Sequence, residues 1–254
     1  MIYETHTHFD DKAFDDDRDE AIRRAMAADV CRFVNVGASM GSSRTSLELA
    51  HTYDGFFAAV GVHPEETADL TEDDMKTLLR YAKDEKVVAI GEIGLDYYWD
   101  EPARDIQKKW FSRQLDLARK AVLPVIIHSR DAAKDTLDIL KEKNAGEIGG
   151  IMHCFSYSVE VAAQCLDMGF YIGVGGVVTF KNGRKLREVV QYVPLDRIVT
   201  ETDSPYMAPV PNRGKRNTSE YLPLIIEEIA AVKGVSRETV ETATFENAVR
   251  LFGK

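Results

Sequence analysis

The sequence predicts an α/β protein with a (β/α)8 TIM barrel, in a single domain that spans residues 1–254. Short apolar segments rich in β-branched residues alternate with longer segments that carry apolar residues at helical spacing, which indicates a parallel sheet. Eight such units fill the 254 residues, close to the usual barrel size of about 250 residues. An open, doubly wound sheet would show the same alternation, but eight units in this length favour closure.

The individual elements follow from this alternation. Strands are predicted over 2–5, 32–36, 56–62, 87–90, 124–127, 150–152, 170–174 and 197–200. Helices are predicted between them over 17–28, 71–83, 104–120, 132–143, 159–168 and 184–192. Two more helices, over 219–232 and 236–251, follow the last strand and would close the ring. No internal repeat or long linker interrupts the series, so we expect one domain.

Charge and cysteine content restrict the class of protein. The chain has 42 acidic and 32 basic residues and a formal net charge of −10, which argues against a surface that attracts nucleic acid over its whole extent. Any polyanionic partner must therefore be met by local positive charge. Cys31, Cys154 and Cys165 are too scattered for a disulfide framework, and no run of about 18 apolar residues is present. We expect a cytoplasmic protein with no membrane partner.

Residues that can bind a metal ion follow five of the eight predicted strands. The carboxyl ends of parallel barrel strands form the face where active sites lie, so these side chains should converge. They are His6 and His8 after the first strand, Glu92 after the fourth, His128 after the fifth, His153 after the sixth and Asp203 after the eighth. Because side chains alternate along a strand, His6 and His8 should both face the barrel mouth. His51 lies outside this pattern and is predicted to be structural.

These six ligands exceed what one tetrahedral ion with an open water position needs, which predicts two divalent metal ions. Glu92 lies on a middle strand and is the predicted bridge between them. Such a pair activates a water and stabilises the attacking and leaving oxygens, as in hydrolysis of a phosphodiester, an amide or an ester. Asp203 is the predicted general base, and Glu92 is the second catalytic carboxylate. Imidazole ligands suit Zn²⁺ or Mn²⁺ better than Mg²⁺.

Residues next to these ligands carry further expectations. By strand parity Glu4 and Glu201 should face inward, one layer below the ligands, where crowding would raise one pKa unless a cation lies near. Glu201 has two open interpretations: a buried carboxylate that shapes the barrel floor, or a partner of a ligand histidine or water. Cys154 alternates with His153 and is predicted to face away from the barrel interior and pack.

Loops at the same face offer substrate contacts. Basic residues occur at 181–185 and at Arg213, Lys215 and Arg216, where they could hold backbone phosphates or form ordinary solvated loops. Arg130 could reach the scissile phosphate. The acidic residues at 10–11 and 15–17 are predicted to be a solvated loop and helix start. The aromatic residues at 97–99 could stack unpaired bases, although packing of at least two of them is an equal alternative.

Seven sequence motifs carry a resemblance to a known family. They are 5–10 (THTHFD), 61–64 (GVHP), 91–97 (GEIGLDY), 127–130 (IHSR), 152–156 (MHCFS), 201–205 (ETDSP) and 213–217 (RGKRN). With these motifs, which span nearly the whole chain, the sequence resembles the TatD-related metal-dependent deoxyribonucleases within the amidohydrolase-like barrels. Glu4 departs from the family pattern, which more often has Asp, and its longer side chain is expected to shift the residues that contact the metal ligands.

The resemblance implies the same six metal ligands, a phosphate-side role for His63 and for Arg130, and Mg²⁺-supported cleavage of DNA, often from the 3′ end. The implied partner is DNA, single-stranded or at its 3′ ends. Two alternatives remain open from the residues: a hydrolase of amides, esters or small phosphoesters on the same binuclear centre, and a non-catalytic metal-binding protein. The basic loops favour a phosphate substrate, whereas the sequence leaves the oligomeric state undetermined.

Overall fold

The computed structural model describes residues 1–254 and confirms the (β/α)8 barrel. Eight parallel strands form one sheet in the chain order β1 to β8. The strands are β1 Ile2–Thr7, β2 Val30–Val36, β3 Phe56–Val60, β4 Val87–Asp96, β5 Val125–Arg130, β6 Gly150–Met152, β7 Tyr171–Val174 and β8 Ile198–Thr200. Three of them, β1, β4 and β5, continue beyond their predicted ends, so His6, Glu92 and His128 lie within strands.

Helices surround the sheet. They are α1 Arg18–Ala27, α2 Met40–Thr52, α3 Glu72–Tyr81, α4 Arg104–Ala121, α5 Ala133–Glu142, α6 Val159–Asp167, α7 Arg184–Tyr192, α8 Leu222–Lys233 and α9 Arg237–Phe252. Helix α2 was not among the predicted helices, and two of its buried positions carry Ser43 and Ser46 in place of apolar residues. The Ser43 hydroxyl donates to the Gly61 carbonyl at 2.8 Å instead. None of the helices combines the length and the apolar character that a membrane crossing needs.

Two buried clusters stabilise the barrel. The larger one lies between the sheet and its helices, and the smaller one fills the inside of the barrel with side chains such as Tyr3, Val34, Ile126 and Val199. Phe252 of α9 belongs to the inner cluster, and its ring centroid lies 5.8 Å from that of Tyr3. The last helix therefore covers the amino-terminal end of the barrel, and the residues that follow the strands lie at the other end.

The seam between β1 and β8 closes the ring without a continuous ladder of strand hydrogen bonds. The Thr5 hydroxyl donates to the Thr200 carbonyl at 3.0 Å. Beyond the end of β8, the Asp203 N–H donates to the His6 carbonyl at 3.0 Å, and the His8 N–H donates to the Ser204 carbonyl at 2.9 Å. The closing contacts of the barrel thus run through the predicted metal ligands themselves.

Gly94 should be intolerant of any side chain. Its φ is +148°, and a Cβ added there would lie 1.9 Å from the His128 carbonyl oxygen. We expect Gly94→Ala to lower the free energy of unfolding, measured by urea titration, by about 3 kcal/mol. Gly234→Ala is the matched control, because its φ is also positive but nothing lies within 4 Å of the added Cβ; it should cost only about 1 kcal/mol. If the two variants lose equal free energy of unfolding, then backbone strain, and not the contact with β5, makes a side chain unfavourable at position 94.

Candidate metal centre

The predicted ligands converge at the open end of the barrel, around a cavity of about 750 Å³. Its wall includes His8, Glu92, His128, His153 and Asp203. His6 is fully buried directly beneath, and its ring stacks on that of His153 with centroids 3.4 Å apart. The six side chains that the sequence places at different strand ends therefore share one site.

Four donor atoms form a first group. The Nε2 atoms of His6 and His8 are 3.1 Å apart, and Glu92 Oε2 lies 3.4 Å from the first and 3.9 Å from the second. Asp203 Oδ1 completes the group at 3.7 Å from His6 and 3.5 Å from His8. Two ligands about 2.1 Å from one tetrahedral ion would be separated by roughly 3.4 Å. These separations are compatible with a single divalent cation between the four side chains.

A second group forms around the other oxygen of Glu92. Oε1 lies 2.8 Å from His128 Nδ1, 3.7 Å from His153 Nε2 and 4.0 Å from His63 Nε2. His153 also approaches Asp203 at 3.5 Å and so lies between the two groups. Each oxygen of Glu92 therefore serves a different set of imidazoles, which is the arrangement a bridging carboxylate requires.

The two carboxylates at the centre are ionised despite their burial. Burial alone would raise the pKa of Glu92, but the imidazoles of His153, His6 and His128 hold it well below the usual value. The pKa of Asp203 is likewise depressed, because His153 and His8 outweigh its desolvation. Both groups are thus ready to bind a cation at neutral pH.

The imidazoles respond to these carboxylates in opposite ways. Burial disfavours protonation of His8, yet Asp203 and Glu92 raise its pKa to about 9. For His128, Asp96 and Glu92 similarly outweigh burial and raise the pKa to about 9. Burial and the neighbouring His128 lower the pKa of His63 to about 3. Without a metal, protons on His8 and His128 balance the carboxylates, and a bound cation would displace them.

Further contacts orient the ligand rings. His8 Nδ1 lies 2.8 Å from the Val36 carbonyl oxygen, and His128 Nε2 lies 2.9 Å from Asp96 Oδ2. Glu201 Oε2 lies 3.0 Å from His153 Nδ1, although the directions of the two groups do not meet hydrogen-bond geometry. Of the two interpretations of Glu201, the structure favours the partner of a ligand histidine. Such contacts fix the ring orientation of a metal-binding imidazole.

Two predicted orientations were wrong. Glu4 does not face inward: Tyr3 packs in the inner cluster, and the Glu4 carboxylate accepts hydrogen bonds from the Thr202 hydroxyl at 2.6 Å and the Thr202 N–H at 2.9 Å. A register shift in β1 between Glu4 and Thr7 breaks the alternation. Burial, not crowding by another carboxylate, raises the pKa of Glu4 to about 8. Cys154 also lines the cavity, because it follows the end of β6 with a φ of +43°.

Several substrate-contact expectations change. His63 lies among the donors, and its low pKa keeps it neutral, which favours a ligand role over a charged phosphate contact. Arg216 is bound to Asp17 at 2.6 and 2.7 Å, and so it is a structural residue. Arg213 and Lys215 do not line the cavity, and the Arg213 guanidinium lies 3.7 Å from the Phe180 ring centroid. Among the predicted phosphate-binding arginines and lysines, Arg130 alone lines the cavity.

The acidic and aromatic loops also differ from the expectation. Asp10 and Asp11 line the cavity and are not merely solvated, and Asp10 accepts hydrogen bonds from Asn35 at 2.8 Å and Ser42 at 2.5 Å. Of the three adjacent rings, Tyr97 packs and donates to Asp135 at 2.7 Å. The other two are exposed, by 55% and 59%. The alternative in which at least two of them pack was therefore wrong.

Two acidic residues of the site carried no predicted role. Asp96 contacts His128, and together with His63 and Glu65 it forms a further group of possible ligands. Asp96 shares strand parity with Glu92, so its inward direction could have been found had the strand been predicted to continue past Ile90. Glu65 lies in a short 3-10 helix after β3 and has no such signal.

Comparisons with known proteins agree with this site. A family model described as TatD related DNase matches residues 3–253. The chain is 46% identical over 252 residues to the uncharacterized metal-dependent hydrolase YabD of Bacillus subtilis, with 99% of each chain covered. It is 34% identical over 245 residues to the 3′-5′ ssDNA/RNA exonuclease TatD of Klebsiella pneumoniae, covering 94% of this chain and 93% of that protein.

A solved structure shows the same fold over the full length. The crystal structure of YjjV, a TatD homologue from Escherichia coli K12, superposes with a TM-score of 0.94 and 30% sequence identity, covering 100% of this chain and 98% of that one. Fold, donor set and full-length sequence similarity therefore agree. The chain belongs to the TatD-related DNase family and is a metal-dependent hydrolase.

Proposed function

We propose that the protein is a nuclease that hydrolyses phosphodiester bonds of DNA, acting on single strands or 3′ ends. One observation carries the proposal: the two donor groups share Glu92 at the floor of a cavity whose wall also carries the cation of Arg130. The Klebsiella pneumoniae relative, named as a 3′-5′ ssDNA/RNA exonuclease, supports the single-stranded substrate and the polarity.

The proposed centre holds two divalent ions, Zn²⁺, Mn²⁺ or Mg²⁺. His6, His8 and Asp203 would hold one ion, with one oxygen of Glu92. His63 and His128 would hold the other, with the second oxygen, and His153 lies within reach of both. Such ions lower the pKa of a coordinated water and neutralise charge on the attacking and leaving oxygens. The number of imidazoles favours Zn²⁺ or Mn²⁺.

Asp203 is the proposed general base. It is ionised, its side chain is 13% exposed and it lines the cavity, so its free oxygen can accept a proton from the attacking water. As the new P–O bond forms, the P–O bond to the leaving sugar oxygen breaks. The proton held by Asp203 then passes to that oxygen. The products are a phosphomonoester and an alcohol.

Removal of the metal should abolish activity. Exhaustive chelation is expected to stop cleavage of a labelled single-stranded oligonucleotide, and added Zn²⁺ or Mn²⁺ should restore it. Metal analysis should find two ions per chain in the parent, and fewer in Glu92→Gln, because both groups lose a charged bridge. A panel of amide and ester substrates run in parallel tests the alternative hydrolase. Undiminished cleavage after chelation would refute the metal mechanism.

The variant Asp203→Asn distinguishes the proposed role of Asp203 as a general base from its proposed role as a metal ligand. The amide can still offer an oxygen to a cation but cannot take a proton at neutral pH. We expect retained fold, much of the metal, and a loss of single-turnover cleavage rate on the order of 10²–10⁴. Near-parental rates with full metal content would assign the base elsewhere, with Glu201 as the next candidate.

Arg130 should supply a phosphate contact. Arg130→Gln is expected to weaken binding of a single-stranded oligonucleotide and to flatten the log–log dependence of affinity on salt by about 0.7. Arg216→Gln makes the same change in net charge, but Asp17 already holds that guanidinium. Its salt dependence should match the parent. If the salt dependence of affinity flattens equally in both variants, the change results from net charge and not from a contact of Arg130 in the cavity.

A further inference from the structure

Exposed aromatic side chains are concentrated at the mouth of the cavity. Four are exposed in the whole chain: Tyr98, Trp99, Tyr192 and Tyr206. Tyr98 and Trp99 lie between β4 and α4, and Tyr206 lies in the segment after β8. Only Tyr192 lies elsewhere, at the end of α7, which precedes β8 and so faces the opposite end of the barrel. Exposed apolar surface that is grouped and bordered by polar residues is typical of a binding site, whereas single exposed apolar residues are ordinary.

The rings of Tyr98 and Trp99 pack against each other, and Arg130 packs on the ring of Tyr98. Their centroids are 5.0 Å apart and their planes meet at 89°. The Arg130 guanidinium lies 3.8 Å from the centroid of Tyr98, so one face of that ring is covered by a cation. Trp99 belongs to the cavity wall and is 59% exposed. The indole therefore stands beside the donor groups with most of its surface free.

The backbone beneath this pair is tied to the metal centre. Asp96 Oδ1 accepts hydrogen bonds from the N–H groups of Tyr98 at 2.9 Å and Trp99 at 3.1 Å. The other oxygen of the same carboxylate contacts His128 Nε2 at 2.9 Å. One side chain thus contacts both the aromatic turn and His128, which sets the position of the rings relative to the proposed metal ligands.

A third ring stands on the other side of the mouth. In a barrel of eight strands in sequential order, β4 and β8 lie on opposite sides, so Tyr206 faces the aromatic turn across the cavity. Its hydroxyl lies 3.0 Å from Asp11 Oδ2, which anchors the ring at the rim. The entrance is therefore flanked by aromatic surface on two sides, although the protein as a whole is acidic.

We propose that Trp99, with Tyr98 braced by Arg130, is a stacking platform for an unpaired base next to the scissile phosphate, and that it makes the enzyme prefer single strands. This inference rests on the proposed nuclease function. Stacking on a ring accepts any base, because every base has a π face, whereas bases inside a duplex have both faces covered by neighbours. Stacking also supplies affinity that does not require a net positive charge, and this chain has a formal net charge of −10.

Kinetics of Trp99→Ala test the platform. We expect KM for a single-stranded oligonucleotide to rise on the order of tenfold, with kcat changed less than about threefold. Cleavage of the same sequence as a blunt duplex should be nearly unaffected, so the preference for single strands shrinks. Trp99→Phe keeps a smaller ring and should be intermediate. Tyr192→Ala removes an exposed ring at the far end of the barrel and should behave as the parent.

Fluorescence supplies a second measurement. Trp99 and Trp110 are the only tryptophans, and Trp110 is 3% exposed, so quenching by an added ligand reports Trp99. A single-stranded oligothymidylate with phosphorothioate ends, titrated into the metal-loaded parent, should quench the emission to saturation. Trp99→Phe should show no quenching by the oligothymidylate.

The outcomes separate the platform from the proposed function. A parent that cleaves the oligonucleotide but shows no quenching, with a parental KM in Trp99→Ala, overturns the platform and leaves the nuclease intact. A parent that is quenched but cleaves no nucleic acid with any metal supports the platform as a binding surface and overturns the nuclease. Neither quenching nor cleavage overturns both.

Discussion

The buried carboxylate of Glu92 is the constraint on which the site depends. An ionised carboxylate inside a barrel is tolerable only when positive or hydrogen-bonding groups surround it. Here each oxygen faces its own set of imidazoles, and those imidazoles come from β1, β5 and the segments after β3 and β6. The same carboxylate holds protons on its neighbours when no metal is bound and has charge to offer when one is. Because Glu92 lies at the centre, it contacts histidines that are far apart in the chain and joins them in one site.

The barrel seam and the irregularity in β1 place the first donor group. With strict alternation Glu4, His6 and His8 would share one face, and a second buried carboxylate would crowd the ligands. The register shift turns Glu4 outward to Thr202 while leaving both histidines inward. Backbone hydrogen bonds then join His6 and His8 to the segment that carries Asp203. The geometry of this group is thus set by main-chain contacts, which do not depend on a bound ion.

Sequence reasoning located the centre because the rule behind it is topological. Parallel strands bring their carboxyl ends together whatever their exact length, so His6, His128 and Asp203 could be grouped without knowing any distance. Features that depend on local departures from regularity were out of reach. The alternation of side chains along a strand predicts neither the register shift next to Glu4 nor the positive φ of Cys154. The partner of Arg216 is Asp17, and nothing in the sequence links two residues so far apart.

The charges of the site bear on how an acidic protein would act on the proposed polyanionic substrate. A chain with a net charge of −10 repels nucleic acid at long range, and salt screening reduces that repulsion beyond about 10 Å. Attraction would then come from groups within the cavity: the divalent ions proposed to be held by Glu92 and Asp203, and the guanidinium of Arg130. The proposed stacking platform would add affinity that depends little on net charge or salt. Because Arg130 also covers one face of Tyr98, cationic and stacking contacts meet at one side chain, and a nucleotide placed there would satisfy both at once.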